Sequence, residues 1–161
     1  MTVGRHDGAY SSPVTAMKPS SPSVSSRMSR QASRDTKPET AVRKILFAAG
    51  RRYRLNVKVP GMSRRTIDIA FTRAKVAVFM DGCFWHGCPE HATQPKSNAA
   101  WWREKLDKNM TRDTETNAHL TAAGWTVLRF WEHEEPAEVA VKVAAAVDAK
   151  ARKARGNGVR L

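Results

Sequence analysis

The 161-residue chain carries 28 Lys and Arg against 15 Asp and Glu, a formal net charge of +13 and a pI near 10.5. Its length suits one domain with a hydrophobic core, and its charge points to a polyanionic partner, nucleic acid first. No run approaches the roughly 18 consecutive apolar residues of a membrane span, and the N-terminal residues lack the apolar core of a secretory signal, so a cytoplasmic protein with no membrane partner is expected.

Residues 1–34 are rich in Ser, with Pro13, Pro19 and Pro22, scattered arginines and no apolar period. Such a segment cannot offset its ordering entropy, and it reads as a disordered basic arm. "DTKPETAVRKILFAAG" then opens a helix: Thr36 and Glu39 form a capping box, Pro38 suits the first turn, and Gly50 is the stop. Val42, Ile45, Leu46 and Ala49 give it an apolar stripe. "RRYRLNVKV" alternates Tyr53, Leu55 and Val57 as a strand, "PGMSRR" reads as a loop, and "TIDIAF" sets Ile67, Ile69 and Phe71 on one face and Thr66, Asp68 and Ala70 on the other. After the short "TRAK" connection, "VAVFM" is apolar throughout, as a central strand buried on both faces would be.

A long helix is expected over "NAAWWREKLDKNMTRDTETNAHLTAAG", capped by Asn98 and stopped by Gly124, with Trp102, Leu106, Leu120 and Ala123 facing the sheet. "WTVLRFW" reads as a further buried strand, and Pro136 opens a closing helix with a basic end. The order helix, three strands, helix, strand, helix defines an α/β layered domain over residues 35–155, followed by a flexible tail at 156–161.

The loop "DGCFWHGCPEH" holds both cysteines of the chain. Cys83, Cys88 and His91 form a C-x4-C-x2-H cluster whose thiolate and imidazole donors favour tetrahedral zinc, where a disulfide is disfavoured in an intracellular protein. His133, at the end of "WTVLRFWEH", is the candidate fourth ligand. His86 could replace His91, and the plainer alternative is that two free cysteines merely pack. Asp68 lies among apolar strand neighbours, where an unpaired carboxylate costs several kcal/mol, unless it sits on an edge facing water. Asp113 falls seven residues after Leu106 and seven before Leu120, on the inward stripe of the long helix. Two inward carboxylates suit a hard cation such as Mg²⁺, and a buried salt bridge to an arginine is the rival for Asp113. His86 could take a proton from an attacking water. Phe84 and Trp85, adjacent in a loop, cannot easily bury against one core face, and a rigid aromatic pair suits insertion between base pairs.

The run "DIAFTRAKVAVFMDGCFWHGCPEH", followed by "WWREKLDKNMTRD" and "GWTVLRFWEH", closely resembles the very short patch repair (Vsr) DNA mismatch endonucleases, over about residues 27–134. The resemblance implies a restriction-endonuclease-like (PD-(D/E)xK type) three-layer fold with a structural zinc. It also implies Mg²⁺-dependent nicking of DNA on the 5′ side of the T in T:G mispairs left by deamination of 5-methylcytosine. Carried over by residue, Asp68 and the main-chain carbonyl of Met80 would bind Mg²⁺, His86 would activate water, and Asp113 would orient His86. Phe84, Trp85 and Trp102 would wedge into the duplex, which replaces the core reading of Trp102. Lys105 and Asn109 would lie near the mispaired bases, Met28 would reach the opposite groove, and Glu39 matches an accessory acid. Two departures stand out: Asp81 occupies a position where family members can carry histidine, and the zinc ligand types at Cys88, His91 and His133 differ from those another member can show. The expected partners are double-stranded DNA with a T:G mispair and other repair proteins, met by a monomer at the nucleoid. The rival readings are a restriction-type endonuclease cutting paired DNA and a zinc-stabilised DNA-binding module without catalysis.

Overall fold

The computed structural model describes residues 35–91 and 96–156. The expected basic arm, Met28 within it, and residues 157–161 of the expected tail lie outside these. Helix α1 (Lys37–Ala48) begins at Thr36, whose Oγ1 accepts the Glu39 N–H at 3.4 Å. The return bond of the capping box goes one residue further out than expected, from the Asp35 N–H to Glu39 Oε2 at 3.0 Å. Gly50, at φ +77°, closes the helix with paired bonds from Gly50 N–H to Phe47 O and Arg51 N–H to Leu46 O, a Schellman stop. Of the expected stripe only Val42 and Leu46 are buried; Ile45 and Ala49 face outward. One narrow seam satisfies α1 because it rests against another helix as well as the sheet.

Strands β1 (Arg54–Val59) and β2 (Met62–Phe71) form an antiparallel hairpin. The expected loop "PGMSRR" shrinks to Pro60–Gly61, because Pro followed by a Gly at φ +78° is the residue pair of a type II turn and frees Met62 onward to join β2. Strict alternation also fails in this hairpin. Ile69 and Phe71 pack in one core cluster with Leu55 and Tyr53, whereas Ile67 and Ala70 pack in the other with Val57. The break falls where Asn56 takes φ +51° opposite Asp68, between the Leu55↔Ile69 and Val57↔Ile67 pairs.

Strand β3 (Val76–Asp81) is the interior, two-sided strand that its apolar run predicts: Val76 and Val78 enter one cluster, Ala77 and Phe79 the other. Helix α2 (Ala99–Ala122) then returns the chain to β4 (Thr126–Trp131), which pairs with β3 in parallel and completes the order β1-β2-β3-β4. Asn98 precedes α2 in the left-handed region and gives no side-chain cap, and Ala123 is exposed, both against expectation. Gly124 does end α2 by the same bonded pattern as Gly50. β4 is an edge strand on which only Phe130 is buried, Val127 and Leu128 being partly covered, so the full burial expected of it does not occur.

Helix α3 (Pro136–Gly156) lies with α1 on one face of the sheet through Val139, Ala140 and Val143, while Leu120 of α2 covers the other. The result is a three-layer mixed α/β domain. Among the described residues no helix is long and apolar enough to cross a membrane.

Gly50 and Gly61 share the same backbone conformation but not the same surroundings. A Cβ at Gly50 meets nothing within 4 Å, whereas at Gly61 it meets two atoms of the His119 ring at 3.2 Å. Gly50→Ala should therefore cost about 1 kcal/mol and Gly61→Ala clearly more. Urea denaturation of the two variants checks this, and equal costs would show that His119 does not constrain the turn.

Candidate active site

The site begins where a ladder ends. β2 and β3 pair through Phe71↔Val76, Ala70↔Ala77 and Ile69↔Val78, and no further pair follows. The Met80 N–H beyond that point is taken by Asp68 Oδ2 at 2.9 Å. In a strand the N–H and C=O of one residue point to the same side, so the Met80 carbonyl looks toward Asp68 as well. Burial is the main cause that pushes the Asp68 pKa from 3.8 to about 6, the Met80 hydrogen bond only partly opposing it and the negative charges of Glu39 and Asp81 adding to it. Glu39 is 3 % exposed. Its carboxylate caps α1, pairs with Arg43 at 3.2 Å and lines the same cleft as Asp68.

That cleft, about 520 Å³, also holds His86, Asp81, Asp113 and Arg129, with Arg64, Arg65 and Arg112 around it. His86 Nδ1 lies 2.6 Å from Asp113 Oδ2 and 3.8 Å from Asp81 Oδ1. Burial acts to lower the His86 pKa, but the Asp113 hydrogen bond and the charges of Asp81 and Asp113 outweigh it and the pKa is raised. With Nδ1 so engaged, Nε2 is the nitrogen left for a water or a phosphate. Asp81 is 7 % exposed, and burial raises its pKa against the opposing charge of Arg129. Arg129 Nη1 meets both Asp81 oxygens, at 2.7 and 2.9 Å. Asp113 thus touches both groups: Oδ2 meets His86, and Oδ1 pairs at 3.2 Å with Arg129, the ion pair expected as the rival to a cation site.

Behind the same loop, donor atoms of Cys83, Cys88, His91 and His133 all lie within 4.8 Å of one another. Cys83 Sγ is 3.1 Å from His133 Nδ1, and Cys88 Sγ is 3.8 Å from both His91 Nδ1 and His133 Nδ1. Tetrahedral ligands at zinc bond lengths stand about 3.4–3.8 Å apart, so the donor set and its spacing fit such an ion. His91, not His86, joins the cysteines; His86 turns to the cleft. The Cys83 thiol, pushed up to about 11 chiefly by burial and then by Cys88, resists ionising on its own. Glu132 fastens the loop from the turn after β4, its Oε1 accepting the Cys83 N–H at 2.9 Å.

The aromatic residues form one packed group. Phe84 stands edge-on to Trp85 and Trp102, at 5.1 and 5.3 Å between centroids, and Trp101 edge-on to Trp102 at 4.7 Å. Trp102 is 6 % exposed but belongs to neither cluster of the sheet core. It neither packs on the sheet, as helical spacing suggests, nor lies open for insertion, as the resemblance implies: its neighbours must part before it can enter a duplex. Lys105 sits 5.4 Å from the Trp85 ring and 4.9 Å from Trp101. Asn109 donates to the Trp85 carbonyl at 3.0 Å, bracing the loop against α2.

A family model described as DNA mismatch endonuclease Vsr matches residues 20–91. The type II nicking enzyme V.NaeI of Lentzea aerocolonigenes is 45% identical over 143 residues, covering 88% of this chain and 81% of that protein. The type II nicking enzyme V.NmeDIP of Neisseria meningitidis serogroup C is 40% identical over 109 residues, 66% of this chain and 72% of its own. DNA mismatch endonuclease Vsr of Escherichia coli K12 is 31% identical over 110 residues, 67% and 68% of the two chains. Similarity at this level to named endonucleases, with a cleft of carboxylates, histidine and arginines at the rim of the sheet, makes the chain an endonuclease, a hydrolase acting on DNA. The chain belongs to the DNA mismatch endonuclease Vsr family.

Sequence reasoning missed Arg129, Arg64, Arg65 and Arg112, which line the cleft. Arg129 did leave a signal: it is the one charged residue in the otherwise apolar run "WTVLRFW".

Asp68 gives a test of the site's electrostatics. Its folded pKa stands above the unfolded value, so the ionised carboxylate opposes folding above about pH 6, and the opposition fades as pH falls through 6 toward 4. Asp68→Asn should raise stability by about 2–3 kcal/mol near pH 8 at roughly 1.4 kcal/mol per unit, with little gain near pH 4. Thermal unfolding in magnesium-free buffer across that range measures it; a gain independent of pH would assign the effect to packing.

Proposed function

We propose that this chain nicks double-stranded DNA on the 5′ side of the T in a T:G mispair, the product of 5-methylcytosine deamination, and thereby starts very short patch repair. The observation that carries the reading is a single cleft shared by the Asp68–Met80 corner and the His86–Asp113 pair. An oxygen-donor corner suits a hard cation, with waters and phosphate oxygens completing its shell. Asp68 and the Met80 carbonyl would hold Mg²⁺ there, and the ion when bound supplies Lewis-acid polarisation of the scissile phosphate.

The protein's own groups account for the rest of the hydrolysis. Asp113 fixes the His86 ring through Nδ1, so Nε2 accepts the proton of a water as the water oxygen attacks phosphorus; the P–O ester bond of the strand breaks in turn, and its sugar oxygen leaves with a proton taken from solvent. Arg64 and Arg112, at the cleft wall, offer positive charge to flanking phosphates. Phe84 and Trp85 would enter the stack beside the mispair, where unstacking is cheapest, and Trp102 would follow once the rings packed on it part. Lys105 and Asn109, which meet the same aromatic loop from α2, would reach the bases at that step. Cys83, Cys88, His91 and His133 would hold a structural Zn²⁺ with no coordination position left for substrate. The four-stranded mixed sheet between helix layers supports the restriction-endonuclease-like fold that this reading requires.

Single-turnover assays on T:G and C:G duplexes of one sequence context, with Mg²⁺, test the reading. Nicking confined to T:G is expected. Equal cutting of C:G would favour a restriction-type enzyme on paired DNA, and tight binding without any strand break would leave a binding module. Scaffold and tool separate by substitution: Cys88→Ala should lose zinc and stability, while His86→Ala should keep zinc and slow nicking by about 10²- to 10⁴-fold. Zinc loss in the His86 variant would reverse the assignment of the two histidines.

A further inference from the structure

Arg129 is the most heavily committed cation of the site. It rises from β4 on the face that meets α2, with its guanidinium 4.3 Å from the Phe79 ring centroid. Nη1 bonds Asp81, Nε donates to Asn117 Oδ1 at 2.8 Å, and Nη2 reaches Asp113 Oδ1 at 3.2 Å. The other oxygen of Asp113, Oδ2, is the one that meets His86. The two oxygens of Asp113 are therefore divided between an arginine behind and a histidine in front. A planar guanidinium fixed at three points leaves that carboxylate one orientation, which a lysine's single ammonium could not impose.

We propose that Arg129 is a positioning residue for hydrolysis, acting through Asp113 on His86, and that Asp81 serves as its counter-ion. The inference rests on the role given above to His86. It assigns a task to the acid at position 81: Asp81 makes it tolerable to bury an arginine beside the sheet, and the arginine then sets the Asp113–His86 pair. A merely structural alternative is that Arg129 only neutralises Asp81. In that case removing both charges together would restore everything.

Three variants distinguish the two: Arg129→Met, Arg129→Lys, and Arg129→Met combined with Asp81→Asn. They are compared with wild type by melting temperature, DNA affinity, single-turnover nicking, and the downfield proton resonance of His86 Nδ1–H, assigned by its loss in His86→Ala. Arg129→Met alone leaves Asp81 buried and unpaired and should melt early, so the double variant carries the test. It should recover the melting temperature and bind DNA as wild type does. Its nicking should stay about 10- to 100-fold slow, the scale on which outer partners of a site act, with the His86 proton broadened or lost. Arg129→Lys should resemble it in rate. Wild-type nicking by the double variant would overturn the proposal, as would an unchanged His86 proton in an enzyme that nicks slowly. If wild type nicked no DNA, the proposed function would fall, while the proton resonance would still report whether Arg129 orders the pair.

Discussion

The parallel ladder between β3 and β4 is the constraint from which the rest of the site follows. Paired from Val76↔Thr126 to Asp81↔Trp131, the two strands finish at the same rim. Antiparallel strands would send their ends to opposite rims. Here the loop after β3 and the turn after β4 emerge side by side, and they are stitched at once: Glu132 N–H donates to Asp81 O at 3.0 Å, and Cys83 N–H to Glu132 Oε1. His133 thereby stands against Cys83 and Cys88, although 45 residues or more separate them in sequence. A parallel connection of this kind also needs a crossover helix, and α2 is that helix. It brings Asp113, Asn109 and Trp102 to the loop from the third side.

The rim gathers groups that a folding core would reject. Asp68, Asp81 and Glu39 are carboxylates held largely away from water, and two of them are pushed upward in pKa chiefly by that burial. Arg129 offsets Asp81 and Arg43 meets Glu39, whereas Asp68 has only a backbone N–H and distant cations. Such imbalance persists because two apolar clusters beneath it, one on each face of the sheet, supply the stability. The unmet charge is located where a cation and a phosphate would meet it.

The order of elements was legible because each has its own signal: the Thr36 cap, the glycine stops at Gly50 and Gly124, and the unbroken apolar run of β3. Asp113 was legible as an inward carboxylate, since helical spacing from Leu106 and Leu120 fixes its face. The face switch at Asn56 and Asp68 was not, because a single left-handed residue in a strand leaves no mark on composition. Nor was the cover over Trp102: periodicity says that a helical tryptophan is buried but not what buries it. Arg129 is visible as the one charge in its run but its role was not, since six apolar or small residues around one arginine read as a core strand. Only the partners across the sheet, Asp81 from β3 and Asp113 from α2, explain how its charge is tolerated there.

The central claim is that one loop is fixed from behind by four metal-type ligands so that its front can act on DNA. Graded chelation of the folded protein tests it most directly, following zinc content, Mg²⁺-dependent nicking with Mg²⁺ in excess, and far-ultraviolet dichroism on the same samples. The account predicts that nicking falls in proportion to one zinc per chain while the helices and sheet persist, and that zinc restores it. Full nicking by zinc-free protein would contradict it.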